Sequence, residues 1–128
     1  MSGTESLPTQ VRKSEGVVVK TRIAILRDAL VLLKQRGWGR GTLEDCDGKL
    51  CLSGAINLSA TGKSDGFSTS NDVDHCREEF HIAFNLVRTA LREKGYSTNI
   101  PHFNDSQAGD VEVVESVLKA ALDKVAKA

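Results

Sequence analysis

Apolar residues in this chain recur mostly at spacings of three and four, the period of helices buried along one side. From Val17 to Arg36, the residues Val19, Ile23, Leu26, Leu30 and Leu33 form a stripe that Ile25, Ala29 and Leu32 widen. This predicts a first helix with neighbours on more than one side. Gly37 follows Lys34 and Arg36, where a left-handed C-terminal cap belongs. Leu50 to Ala60 is apolar and small, predicting a short buried helix that ends near Gly62. Within it, Gly54 and Ala55 would let another helix approach closely. Asn71 or Asp72 is placed to cap a third helix running to Lys94, with Phe80, Phe84, Val87 and Leu91 inward and Cys76, Ala83 and Ala90 in support. Gly95 stops it. Asp110 is placed to cap a last helix to about Ala126, with Val114, Val117, Leu118, Ala121 and Val125 inward.

The connecting stretches are polar or broken. Thr42 to Cys51 holds Asp47-Gly48, a two-residue turn signal, between flanks that alternate only in part. Residues 63–71 read as a polar loop. Tyr96 to Gly109 reads as another, in which Ile100-Pro101 excludes helix. Residues 1–16 lack apolar periodicity and read as a disordered arm, leaving residues 17–128 as a single helical domain. The fold class is therefore mainly α: a compact bundle of about four helices with one short hairpin or irregular turn near residues 42–51.

Size and composition agree with one globular domain of 128 residues, 40% hydrophobic and 27% charged. Seventeen basic and seventeen acidic side chains cancel, so overall charge advertises neither nucleic acid nor membrane. Their placement is uneven. Residues 1–40 carry eight Lys or Arg against three acids, and Lys20, Arg27 and Lys34, with Arg22, Arg36 and Arg40, make a basic stripe. A nucleic-acid partner through this stripe ranks behind a solvated helix face, because the apolar segment at 50–60 has no basic residue to serve as a recognition helix. No run approaches the ~18 apolar residues of a membrane span, and the polar N-terminus does not read as a signal peptide. Three cysteines at no framework spacing fit reduced thiols, so a soluble protein of the cytoplasm is expected.

Candidate chemistry concentrates in residues 37–55, which hold Trp38, Cys46, Cys51 and five of the eleven glycines. Cys51 falls at the start of a short helix, where a dipole lowers a thiol pKa, but a nucleophile also needs a base such as His75, His81 or His102. The competing reading is a small buried side chain beside Gly54 and Ala55, and it is preferred. Cys46, Cys51, Cys76, His75 and His81 lack the ligand spacings of zinc sites. The Gly37, Gly39 and Gly41 run lacks the phosphate-loop pattern and follows a helix instead of a strand. No catalytic set, metal or cofactor is expected. Asn104 and Asp105, beside Phe103, are read as capping or turn residues rather than ligand contacts.

Three motifs occur in order: G-W-x-x-G at 37–41, D-G-K-L-C-L-S-G-A at 47–55 and F-N-D at 103–105. In this combination the chain resembles a small domain family of unknown function from actinobacteria and their phages, over about residues 20 to 125. Phe103 stands where that family usually has tryptophan. The resemblance implies shared architecture and no transferable activity; by analogy it suggests a regulatory or host-directed protein. The functional expectation is a non-enzymatic module that binds another protein, with weak nucleic-acid binding or a Cys51 thiol enzyme as alternatives. Its candidate interaction or structural residues are Trp38, Arg40, Cys51, Gly54, Phe103, Asn104 and Asp105.

Overall fold

Thr21 opens the first helix: its backbone is extended, and its hydroxyl accepts the Ala24 N–H at 3.3 Å. In the computed structural model, which describes residues 11–14, 17–64 and 72–127, helix α1 spans Arg22–Arg36. Upstream of it, β1 (Val11–Ser14) and β2 (Val17–Lys20) pair antiparallel, with Val11 opposite Lys20 and Ser14 opposite Val17. The helix expected from Val17 thus starts five residues later. The run Val17-Val18-Val19 is β-branched, which suits a pleated strand better than a helical turn. β1 falls inside the stretch read as a disordered arm; residues 1–10, 15 and 16 lie outside the described residues.

The other helices are α2 (Leu52–Thr61), α3 (Asp72–Glu93), a short α4 (Ile100–His102) and α5 (Val111–Lys127). Their ends follow local chemistry. Gly62 closes α2 with φ 83°, and its N–H donates to Leu58 O at 2.9 Å. The Gly95 turn closes α3, with the Tyr96 N–H reaching Leu91 O at 2.9 Å. Asp110 Oδ1 accepts the Val113 N–H at 3.1 Å and caps α5. The expected cap at Asn71 lies outside the described residues. Helix does form at Ile100-Pro101, contrary to expectation. Asn99 caps it through the His102 N–H at 3.0 Å, and Pro101 sits in the first turn, where a missing N–H costs nothing.

Helix α1 packs against α2, α3 and α5, and α3 lies along α5. The core between them is Ile25, Leu26, Ala29 and Leu33 from α1, Leu52, Ala55 and Ile56 from α2, Ala83, Val87 and Leu91 from α3, and Val114, Val117, Leu118 and Ala121 from α5. The chain is therefore mainly helical and compact. No helix among the described residues is long and apolar enough to cross a membrane.

Two polar ties cross this core. Glu79 of α3 is 3% exposed and accepts the Arg22 backbone N–H at 2.7 Å and the Arg22 guanidinium at 3.1 and 3.0 Å. Hydrogen bonding to Glu79 raises the Arg22 pKa above its ordinary value. Lys20 Nζ meets Asp28 at 2.7 Å and donates to Ser59 O at 2.7 Å. Both bases belong to the stripe read as a solvated face, so part of that stripe is folded into the protein.

Candidate functional site

The segment between α1 and α2 is held as an irregular loop rather than a regular hairpin. Gly39 N–H donates to Leu50 O at 3.0 Å, and Leu50 N–H donates to Gly37 O at 2.9 Å. Only isolated bridges form, from Leu50 to Trp38 and to Glu44. Asp45 organises the tip: its Oδ1 accepts the N–H groups of Asp47 and Lys49, both at 2.9 Å. From α1, Arg36 clamps the tip by donating to Gly48 O at 3.1 Å and to the Glu44 carboxylate at 2.7 Å.

Asn104 fastens this loop to the rest of the molecule. It lies in a single π-helical turn, Phe103–Gln107, that continues α4, with the Ala108 N–H reaching five residues back to Phe103 O at 2.8 Å. Its fully buried side chain makes four hydrogen bonds. Oδ1 accepts Trp38 Nε1–H at 2.7 Å and the Leu52 N–H at 3.0 Å. Nδ2 donates to Gly39 O at 3.1 Å and to Asp105 Oδ1 at 2.9 Å. Both donors and both acceptor positions of the amide are used, and the reversed amide would face donor to donor. Asp105 continues the clasp by accepting the Gly41 N–H at 3.0 Å. The Asn104 amide, the Gly41 N–H and the nearby Arg40 charge hold the Asp105 carboxyl below its ordinary pKa. Arg40 lies 4.8 Å over the Trp38 ring and donates to Ala108 O.

A family model of unknown function matches residues 18–124, taking in this loop and its clasp. The chain belongs to that family, DUF6197. No curated protein and no solved structure matches it.

In this DUF6197 chain the residues singled out from the sequence come together, in roles partly different from those expected. Trp38 is half-buried against the core, with its indole N–H donated to the buried Asn104 amide. Asn104 and Asp105 do not cap α5, which Asp110 does; they bind a loop more than sixty residues away. Phe103 is fully buried, its ring 4.9 Å from that of Tyr96. Gly54 faces backbone and not another helix: a Cβ there would lie 2.1 Å from Leu43 O.

Cys51 is buried at the N-cap of α2, where its Sγ accepts the Gly54 N–H at 3.3 Å. Burial raises its thiol pKa, with the Asp105 charge acting the same way and the Gly54 and Ser53 N–H groups opposing. Cys46 is exposed, as are His81 and His102, whereas His75 and Cys76 have no described side chain. Cys51 and Asp105 line a shallow cleft of about 260 Å³ with Gly41, Thr42, Leu43 and Pro101. Leu43, 36% exposed at its edge, was not singled out from the sequence. The only local hint is an apolar residue isolated between Thr42 and Glu44.

Proposed function

We propose that the chain is a protein-binding module without catalytic chemistry, and that loop 38–47 is its contact surface. One observation supports this reading. The loop is locked from beneath by the Asn104 clasp while Arg40, Thr42, Leu43, Glu44, Cys46 and Asp47 stay exposed. A loop ordered before it meets a partner spares the ordering cost of binding, and fixed exposed loops are where binding residues concentrate. Leu43 supplies an apolar contact inside a polar rim. The resemblance to actinobacterial and phage proteins adds a regulatory or host-directed setting to the same reading.

The alternatives have weaker support. Of the six stripe bases, Lys20, Arg22, Arg36 and Arg40 hold partners within the chain, leaving Arg27 and Lys34 exposed for phosphate. The raised pKa of Cys51 works against a thiolate nucleophile.

Photo-crosslinking from position 43, with exposed Val31 on α1 as the control position, tests the surface. A discrete protein adduct from 43, absent from 31 and lost on Asn104→Ala, is the expected result in the native host. Identical adducts from both positions, or salt-sensitive binding to random DNA, would count against it. Iodoacetamide at pH 7 should modify Cys46 and spare Cys51; fast native labelling of Cys51 would favour the thiol enzyme.

A further inference from the structure

A second cleft opens on the α3 side of α4, and its lining is chemically one-sided. Ser53, Phe84, Arg88, Thr98, Asn99, Ile100 and Pro101 surround about 390 Å³. None of these residues is acidic. The Ser53 residue is only 7% exposed, yet its hydroxyl has no hydrogen-bond partner among the described residues. A buried hydroxyl without a partner is uncommon and costly, and a ligand atom is one way of satisfying it. Arg88, on α3, lies 5.5 Å over the Phe84 ring and gives one hydrogen bond, to Asn85 Oδ1 at 3.0 Å. It has no carboxylate partner among the described residues. Asn99 spends its Oδ1 on the His102 N–H, which leaves its NH₂ to donate.

The cleft therefore offers a guanidinium, an amide NH₂ and two hydroxyls against the apolar walls of Phe84, Ile100 and Pro101. We infer that it binds a monocarboxylate carried on a short apolar body, with Arg88 and Ser53 holding the carboxylate. One fixed positive charge with no opposing acid matches a single negative charge, and a planar guanidinium fork matches a planar carboxylate. The apolar walls take the hydrocarbon. A free aliphatic acid and the carboxyl end of a polypeptide both carry this chemistry. This cleft shares Pro101 with the one beside the loop but takes no residue from loop 38–47, so the inference does not rest on the loop's role.

Isocaproate and N-acetyl-leucine, titrated into the full-length protein and followed by amide NMR shifts, test the assignment. The expected result is saturable shifts at Ser53, Arg88 and residues 98–100, with the uncharged isocaproamide inert. Tighter binding of isocaproate points to a free acid, and tighter binding of N-acetyl-leucine to a chain end. Arg88→Gln should weaken binding by about tenfold or more, as loss of a charge-assisted pair does. Ser53→Ala should weaken it less while leaving the protein folded. Isocaproamide binding as well as isocaproate, inorganic phosphate outcompeting both acids, or undiminished affinity in folded Arg88→Gln would overturn the inference. Absence of shifts at this cleft with both acids would overturn it equally.

Discussion

Asn104 carries more of this structure than its size suggests, because every hydrogen-bonding position on its amide is occupied. Asn104→Ala would leave the Trp38 and Leu52 N–H groups and the Gly39 carbonyl without their partner. Each stranded buried group costs about 1–3 kcal/mol, so a loss of at least ~2 kcal/mol in urea unfolding is expected. Trp38→Phe removes the indole donor and part of the ring that packs on the core and under Arg40, and should cost at least about 1 kcal/mol. Asn104→Asp should be no better than alanine, since a second carboxylate oxygen would then face Gly39 O and Asp105. The neighbour Asp105 sets a pH limit. Its carboxyl pKa is lowered in the folded state, so the unfolded chain takes up that proton first as pH falls. The stabilisation is complete above the ordinary carboxylate pKa and disappears as pH drops through the depressed one. Asp105→Asn should flatten this acid limb of the stability profile, measured between about pH 2 and 6. Equal acid sensitivity in wild type and variant would show that other carboxylates govern it.

At the scale of elements, α2 is placed by its two ends and by one glycine. Cys51 caps its start and Gly62 its end, while Gly54 lets the Leu43 carbonyl come within 2.1 Å of where a Cβ would stand. That contact is with backbone, which cannot rotate away as a side chain would. Gly54→Ala should therefore destabilise by roughly 1–3 kcal/mol through overpacking. A neutral Gly54→Ala in thermal unfolding would mean that the loop moves freely. These elements were unequally legible in the sequence. Gly62, Gly95 and Asp110 were readable because a cap is a local event, settled by a few neighbouring residues. The strand at Val17–Lys20 was misread because its valines lead directly into an apolar helical stripe. The turn at Ile100-Pro101 was misread because proline is compatible with a first helical turn and forbidden only further in. The site residues were flagged by type, but the Asn104 contacts to Trp38, Gly39 and Leu52 span 66, 65 and 52 residues. No local pattern encodes pairs so far apart.

For the whole molecule, the family match begins at residue 18, inside β2, and Ala24 is the first buried residue among those whose side chains are described. Deleting residues 1–16 removes β1 and should leave helicity and cooperative unfolding intact by circular dichroism. Loss of the folded state would place essential structure in the deleted segment. The charge pattern also changes meaning at this scale. Lys20, Arg22 and Arg36 form ion pairs with Asp28, Glu79 and Glu44, so an N-terminal excess of base becomes internal tethering.

The span of the Asn104 clasp has a consequence during synthesis. A chain leaving the ribosome emerges from its N-terminus, so α1, the Gly-Trp loop and α2 are exposed to the cell before residue 104 exists. Until the π turn has emerged, the Trp38 indole and the start of α2 have no amide to close on. The exposed loop is thus among the last parts of the nascent chain to set, and a message truncated before codon 104 would yield helices without a finished surface.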